Sequence, residues 1–135
     1  MNEIQKVTAG DVTLAYVVPA GAGASETTFI TPPETGFQMG FVVYPAGGAV
    51  APHVHLPIER ELVGTTEFLL VREGRCTLDL YDEERELVAS RELAAGDCVL
   101  LVAGGHGLRM AEDTVVLEVK QGPYIQQDEK ERFQA

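Results

Sequence analysis

The residues with the clearest chemical potential are His53, His55 and His106, the three histidines of the chain. His53 and His55 are separated by one residue and lie in a stretch whose composition is typical of β-structure. Side chains at positions i and i+2 of a strand point to the same face, so these two imidazoles can converge on one ion. With His106 and a carboxylate they would supply nitrogen and oxygen ligands. Such a set suits a divalent transition metal such as iron, manganese, zinc or nickel.

The carboxylate of this predicted site has two main candidates, Glu59 and Glu67. Glu59 follows His55 at a short distance, whereas Glu67 opens the apolar run EFLLVREG. In a strand the side chain of Glu67 would share a face with Leu69 and Val71. A carboxylate on an inward apolar face is costly unless it is paired or binds a cation. We therefore predict that Glu67 is the metal ligand and keep Glu59 as the alternative.

The elements that must position these residues are predicted to be antiparallel β-strands. Apolar residues alternate with polar or smaller ones in Val12–Val18, Phe37–Val43, Cys76–Tyr81 and Val115–Lys120, and this alternation is typical of strands with one buried face. Turns rich in glycine, proline and aspartate separate the strands, and no segment has the periodicity of a helix. The pattern predicts an all-β sandwich or barrel, and a double-sheet jelly roll fits it.

The length of the chain, 135 residues, predicts a single domain with a substantial core. We expect this core to span about residues 37–121, with strands in residues 1–36 before it and a short tail, residues 122–135, after it. No internal repeat and no second domain is indicated.

Charge and cysteine content limit the class of partner and the compartment. A formal net charge of −11 argues against binding to nucleic acid or to an anionic membrane surface, since both require a basic patch. Cys76 and Cys98 form no C-x-x-C motif and fit a reduced protein, with both thiols as small core residues. No signal peptide is visible at the N-terminus, and no apolar run approaches the ~20 residues of a membrane-spanning helix. We therefore predict a cytoplasmic protein.

The spacing of the candidate ligands resembles the first motif of the cupin family. Gly47 is followed by five residues and then His53-Val54-His55, and Glu67 is followed by six residues and then Gly74. The gap between the second histidine and the glutamate is eleven residues, where the family usually has three or four. Leu56 to Thr66 is therefore predicted to be an inserted loop.

The second cupin motif is matched less completely. Gly96 leads to Val102-Ala103-Gly104 and then to His106 in the stretch AGGHGLRM. Val102 stands where the family has proline, His106 arrives one residue early, and Met110 occupies the position of an asparagine. The glycines around His106 predict a tight turn that presents its side chain inward. The resemblance implies that His106 completes the ligand set.

The resemblance to cupins implies a double-stranded β-helix, or jelly-roll barrel, that holds a metal ion through His53, His55, Glu67 and His106. It implies a metal-dependent enzyme acting on a small organic molecule, by oxygenation or by isomerisation or epimerisation of a sugar. The catalytic residues beyond the metal ligands are not identified. A non-catalytic binding or sensor protein and a structural module with a vestigial site are the alternatives.

Two further expectations come from the same resemblance. Many cupins form homodimers through an N-terminal strand, which Ile4–Val18 could supply. The C-terminal stretch LEVKQGPYIQQDEK is similar to the end of small bacterial cupins associated with surface-polysaccharide clusters, which favours sugar-related chemistry.

Overall fold

A computed structural model describes residues 3–124 and 131–134 of the chain. These residues contain ten β-strands and no helix, which confirms the predicted all-β class. In chain order the strands are β1 (Gln5–Ala9), β2 (Val12–Val18), β3 (Thr28–Phe29), β4 (Gly40–Phe41), β5 (Glu67–Glu73), β6 (Arg75–Tyr81), β7 (Leu87–Ala94), β8 (Cys98–Leu101), β9 (Gly105–Met110) and β10 (Val115–Lys120).

The chain divides into two compact units. The larger unit combines Met1–Ala22 with Thr65–Ala135, and the smaller unit is Gly23–Gly64. The larger unit holds a five-stranded sheet in the order β1-β2-β8-β5-β10 and a three-stranded sheet in the order β7-β6-β9, and all pairs are antiparallel. The smaller unit holds the two-stranded sheet β3-β4.

The two sheets of the larger unit share one apolar core. Its largest fully buried side chains come from both sheets: Leu14, Val71, Cys76, Leu78, Leu80, Leu93 and Val99. Among the described residues no strand pairing joins the two sheets, so they form two packed layers rather than a closed barrel. Burial of this cluster is the main stabilising contribution that the fold offers, since each fully buried aliphatic side chain contributes about 1.5–3 kcal/mol.

Three of the four strands predicted from alternation are present. β2 and β10 have the predicted bounds, and β6 begins one residue earlier than predicted. The long strand predicted for Phe37–Val43 is wrong, because β4 contains only Gly40–Phe41. Beyond β4 the pairing continues only through Met39, whose carbonyl accepts from the amides of residues 30 and 31. The segment that follows β3 then reaches Pro32 and Pro33. These residues have no amide proton to donate, so the backbone pairing ends there.

The register of β10 determines which of its side chains face the core. Val116 pairs with Val71, Glu118 with Leu69, and Lys120 with Glu67. Paired residues lie on the same face, and Val71 and Leu69 are core residues. The alternating residues Val115, Leu117 and Val119 therefore do not supply the inward face of β10 after the register shift at Val115/Val116. Leu117 lies on the opposite face and is 47% exposed.

The prediction that both cysteines are small core residues is confirmed for Cys76 but not for Cys98. Both are free, Cys76 is fully buried in the core and Cys98 is half-buried. Burial raises the pKa of the Cys76 thiol, and burial together with the nearby Asp97 carboxylate raises the pKa of the Cys98 thiol. Both groups are thereby kept in the protonated, unreactive form.

The C-terminal stretch returns to the three-stranded sheet. The ring of Phe133 packs edge-on against Tyr81, with centroids 5.0 Å apart, and the Arg85 guanidinium lies 5.3 Å from its centroid. Arg85 also forms an ion pair with Glu131 at 3.1 Å. Part of the predicted tail, residues 122–135, and the end of the stretch LEVKQGPYIQQDEK lie outside the described residues. In the described part of the chain no helix has the length and apolarity needed to cross a membrane.

Candidate metal centre

Glu67 is the first residue of β5 and lies between β8 and β10 in the five-stranded sheet. Its backbone partners are Leu101 on one side and Lys120 on the other. Leu69 and Val71 follow on the same face with exposures of 3% and 2%, as the alternation predicted. The side chain of Glu67 is 18% exposed, so it lies at the margin of the core.

His106 lies on the inner face of the opposing sheet. It belongs to β9, where it pairs with Leu80, a fully buried core residue. The prediction that a glycine turn presents this histidine is wrong, because only Gly104 forms the turn and the strand begins at Gly105. The inward direction follows instead from strand parity.

The two inner faces bring Glu67 and His106 together. The Nε2 atom of His106 lies 3.8 Å from Oε2 of Glu67. Nitrogen and oxygen atoms that bind one ion at about 2.0–2.2 Å stand roughly 3–3.5 Å apart at ordinary bond angles. A shift of less than about 1 Å, well within side-chain rotation, would let both donors reach a common ion. The donor types and their separation therefore fit half of a metal site.

His53 and His55 lie in the smaller unit and are exposed. The prediction that they lie on a strand is wrong: among the described residues, 49–65 form no strand and no backbone–backbone hydrogen bond. Pro52 and Pro57 interrupt the segment and cannot donate to a ladder. The two rings are nevertheless neighbours, with centroids 5.2 Å apart in an edge-on arrangement.

One hydrogen bond of His53 bears on its ability to bind a metal. Its Nδ1 lies 2.8 Å from the carbonyl oxygen of Ala51. A carbonyl oxygen only accepts, so Nδ1 carries the proton and the lone pair of a neutral ring is on Nε2. Metal-binding histidines commonly donate their second ring nitrogen to a carbonyl in this way. His53 is therefore in the tautomer that a metal site at Nε2 requires.

The alternative carboxylate, Glu59, is exposed in the same unpaired segment and forms no ion pair with any described residue. The predicted loop Leu56–Thr66 is confirmed as irregular structure. The structure thus brings Glu67 together with His106 within the larger unit. It places His53 beside His55 within the smaller unit. Within residues 3–124 and 131–134 it gathers no group of three or more histidine, cysteine, aspartate or glutamate side chains suited to an ion.

Sequence reasoning missed Lys120, which lies on the same inner face as Glu67. Its Nζ is 3.6 Å from Oε2 of Glu118, and the two side chains are 27% and 43% exposed. The alternation Val116-Glu118-Lys120 was visible in the sequence. The face on which these residues lie was not visible, because it depends on the register of β10 against β5.

A second polar cluster lies on the outer face of the three-stranded sheet. The Asp79 carboxylate accepts hydrogen bonds from Arg109 Nε at 2.7 Å and Nη2 at 2.9 Å, and from the Ser90 hydroxyl at 2.6 Å. The bonds from Arg109 and then Ser90 hold the pKa of Asp79 below its usual value, although its burial opposes the shift. Because Asp79 alternates with the core residues Leu78 and Leu80, it points away from the candidate metal centre.

Comparison of the chain with known protein families, with curated proteins and with solved structures found no match.

Proposed function

We propose that this protein is a metal-binding protein of the cupin type that acts as an enzyme on a small organic molecule, by oxygenation or by isomerisation or epimerisation of a sugar. The observation that carries the proposal is the approach of Glu67 Oε2 and His106 Nε2 to 3.8 Å. Two residues 39 positions apart, singled out from the sequence by residue type, strand parity and motif spacing, come from different sheets and meet on facing inner surfaces. His53 and His55 would complete a ligand set of three imidazoles and one carboxylate.

The strand arrangement supports a jelly roll as the fold of this protein. A jelly roll contains two packed antiparallel sheets with ~8 strands. Here β9 and β10 are edge strands of the two sheets in the described chain. The five-stranded and three-stranded sheets of the larger unit together supply eight antiparallel strands around one apolar core.

The chemistry of the site divides between the ion and the chain. A bound divalent ion with open positions would act as a Lewis acid, lower the pKa of bound water, or activate oxygen if it is iron. Glu67 and His106 supply ligands from a rigid sheet sandwich. Leu69 and Leu101, both nearly fully buried, pack beside Glu67 on the same face and keep water from the core side of the site.

A non-catalytic binding or sensor protein is the second candidate. Along β10 the inner face carries the Glu118 carboxylate, and the Lys120 ammonium pairs with it at 3.6 Å. This carboxylate is therefore already engaged by a neighbouring side chain. This observation favours binding without turnover.

We also propose a cytoplasmic homodimer. The two free cysteines fit a reducing compartment. Of the N-terminal strands proposed for the dimer contact, β2 pairs on both sides, whereas β1 is a sheet edge. The open edge of β1 is therefore the part of Ile4–Val18 that a second subunit could extend.

Metal content tests the proposal directly. Protein purified without added metal would be analysed by elemental mass spectrometry beside His53→Ala, Glu67→Gln and the control Glu92→Gln, which changes an exposed carboxylate of β7. We expect near-stoichiometric metal in the wild type and control, and a loss of at least about tenfold in occupancy in the other two variants. Absence of metal from the wild type, before and after soaking, would overturn the proposal. Retention by Glu67→Gln alone would transfer the carboxylate role to Glu59.

A further inference from the structure

The inner face of the five-stranded sheet changes from apolar to charged at one end. Along β5 this face carries Val71, Leu69 and then Glu67, and along β10 it carries Val116, Glu118 and then Lys120. The charged side chains therefore share the inner face where β5 begins and β10 ends. A cation among them is unexpected in a site that only has to hold a metal cation.

The position of Lys120 is fixed by its backbone and by its neighbour. It is the register partner of Glu67, and the next residue, Gln121, accepts a hydrogen bond from the amide of Thr66 at 2.8 Å through its side-chain oxygen. This bond links the residue that follows β10 to the residue that precedes β5. The backbone of Lys120 is thereby fixed at the rim of the candidate site, and its ammonium lies 3.6 Å from Glu118.

We propose that Lys120 is the anchor for an anionic substrate, so that the ligand class is a small carboxylate bound between the metal and this ammonium. The inference rests on the proposed metal site. Glu67, Glu118 and Lys120 together carry one net negative charge. A divalent ion converts this into one net positive charge, which a carboxylate neutralises. Glu118 holds the ammonium at 3.6 Å until the ligand displaces it.

The expected strength of the attraction between Lys120 and an anion favours this assignment. The Lys120 side chain is 27% exposed, so its attraction for an anion is less screened than that of a free surface lysine. Hydrogen bonds between ammonium and carboxylate groups are about twice as strong as neutral ones. Loss of such a contact in a partly desolvated site weakens binding by roughly 10- to 100-fold.

The experiment uses the full chain loaded with Co²⁺, whose visible spectrum reports both metal occupancy and ligand entry. Lactate and succinate would be titrated, with lactamide and succinamide as uncharged counterparts. The variants are Lys120→Met, Lys120→Arg, Glu118→Gln and the control Lys6→Met, which removes an equal charge from an exposed position of β1 in the same sheet.

We expect Lys120→Met to keep its cobalt but to bind the carboxylates about 10- to 100-fold more weakly, while Lys6→Met matches the wild type. Lys120→Arg should recover most of the binding because it keeps the charge. Glu118→Gln should bind the carboxylates more tightly than the wild type, since it releases the ammonium. If the ion pair were purely structural, Lys120→Met and Glu118→Gln would change carboxylate binding in the same direction.

Two results would overturn the inference while the metal site stands: equal carboxylate binding by Lys120→Met and Lys6→Met, or equal binding of amides and carboxylates by the cobalt-loaded wild type. Failure of the wild type to take up cobalt would remove the proposed function and this inference together. The absence of a cobalt spectrum distinguishes that case from the other two.

Discussion

Replacement of Asp79 by asparagine should destabilise the protein near neutral pH, and this destabilisation should disappear in acid. Asp79 is 7% exposed and accepts three hydrogen bonds from two side chains. A hydrogen bond to a charged group contributes about 1.5–3 kcal/mol when its partner is buried. Arg109 is 67% exposed, so solvent screens its attraction for Asp79 and reduces its share. The amide of asparagine still accepts one bond, so we expect a loss of about 1–2 kcal/mol.

The sign of the pH dependence follows from the lowered pKa of Asp79. The carboxylate stabilises the fold at every pH above its unfolded pKa of about 3.9 and loses this effect as the pH falls through the lower folded value. Urea unfolding of the wild type and Asp79→Asn should therefore differ by the full amount near neutral pH and converge below about pH 4. Glu92→Gln, a change on an exposed position of the neighbouring strand, should cost less than about 0.5 kcal/mol. A loss in Asp79→Asn no larger than in Glu92→Gln, or one independent of pH, would refute the reasoning.

Two further matched pairs test the fold by thermal or urea unfolding. Gly104→Ala should lower the free energy of unfolding by more than about 3 kcal/mol, because Gly104 has φ +70° and a Cβ there would lie 2.2 Å from the carbonyl oxygen of Tyr81. Gly10→Ala, at φ +60° with open space around it, should lower it by only about 1 kcal/mol. Similar losses in the two variants would contradict the backbone contact. Leu78→Ala should cost about 2–5 kcal/mol because Leu78 is fully buried, whereas Leu117→Ala at 47% exposure should cost less than about 1 kcal/mol; a large loss at Leu117 would mean that the outer face of β10 is covered in solution.

Alternation in the sequence predicted most of the strands that now form the two-sheet unit. It succeeded for β2, β6 and β10, where apolar and polar residues alternate without proline and a neighbouring strand pairs along most of the length. It failed at Phe37–Val43, where the alternation is equally clear. A strand requires a partner as well as a pattern, and Pro32 and Pro33 end the partner after a few residues.

The candidate site was predictable in its residue types and only partly in its geometry. Parity along β5 correctly placed Glu67 beside Leu69 on an inner face. The face of Leu117 could not be obtained in this way, because it depends on the register of β10, which shifts between Val115 and Val116. A one-residue difference in register exchanges the two faces of a strand. Lys120 was missed for the same reason.

The distribution of charge along the inner faces separates the folding core from the candidate site. Val71 and Val116 form the apolar end of the β5–β10 pair, and Glu67 and Lys120 form its charged end. On the facing sheet His106 is near the start of β9, whereas Leu108 further along the strand packs against the core. Because apolar burial supplies most of the stability, side chains at the charged end can be changed without loss of the fold. Variants of Glu67 and Lys120 should therefore keep nearly the stability of the wild type in urea unfolding, so they can test the proposed site without unfolding the protein.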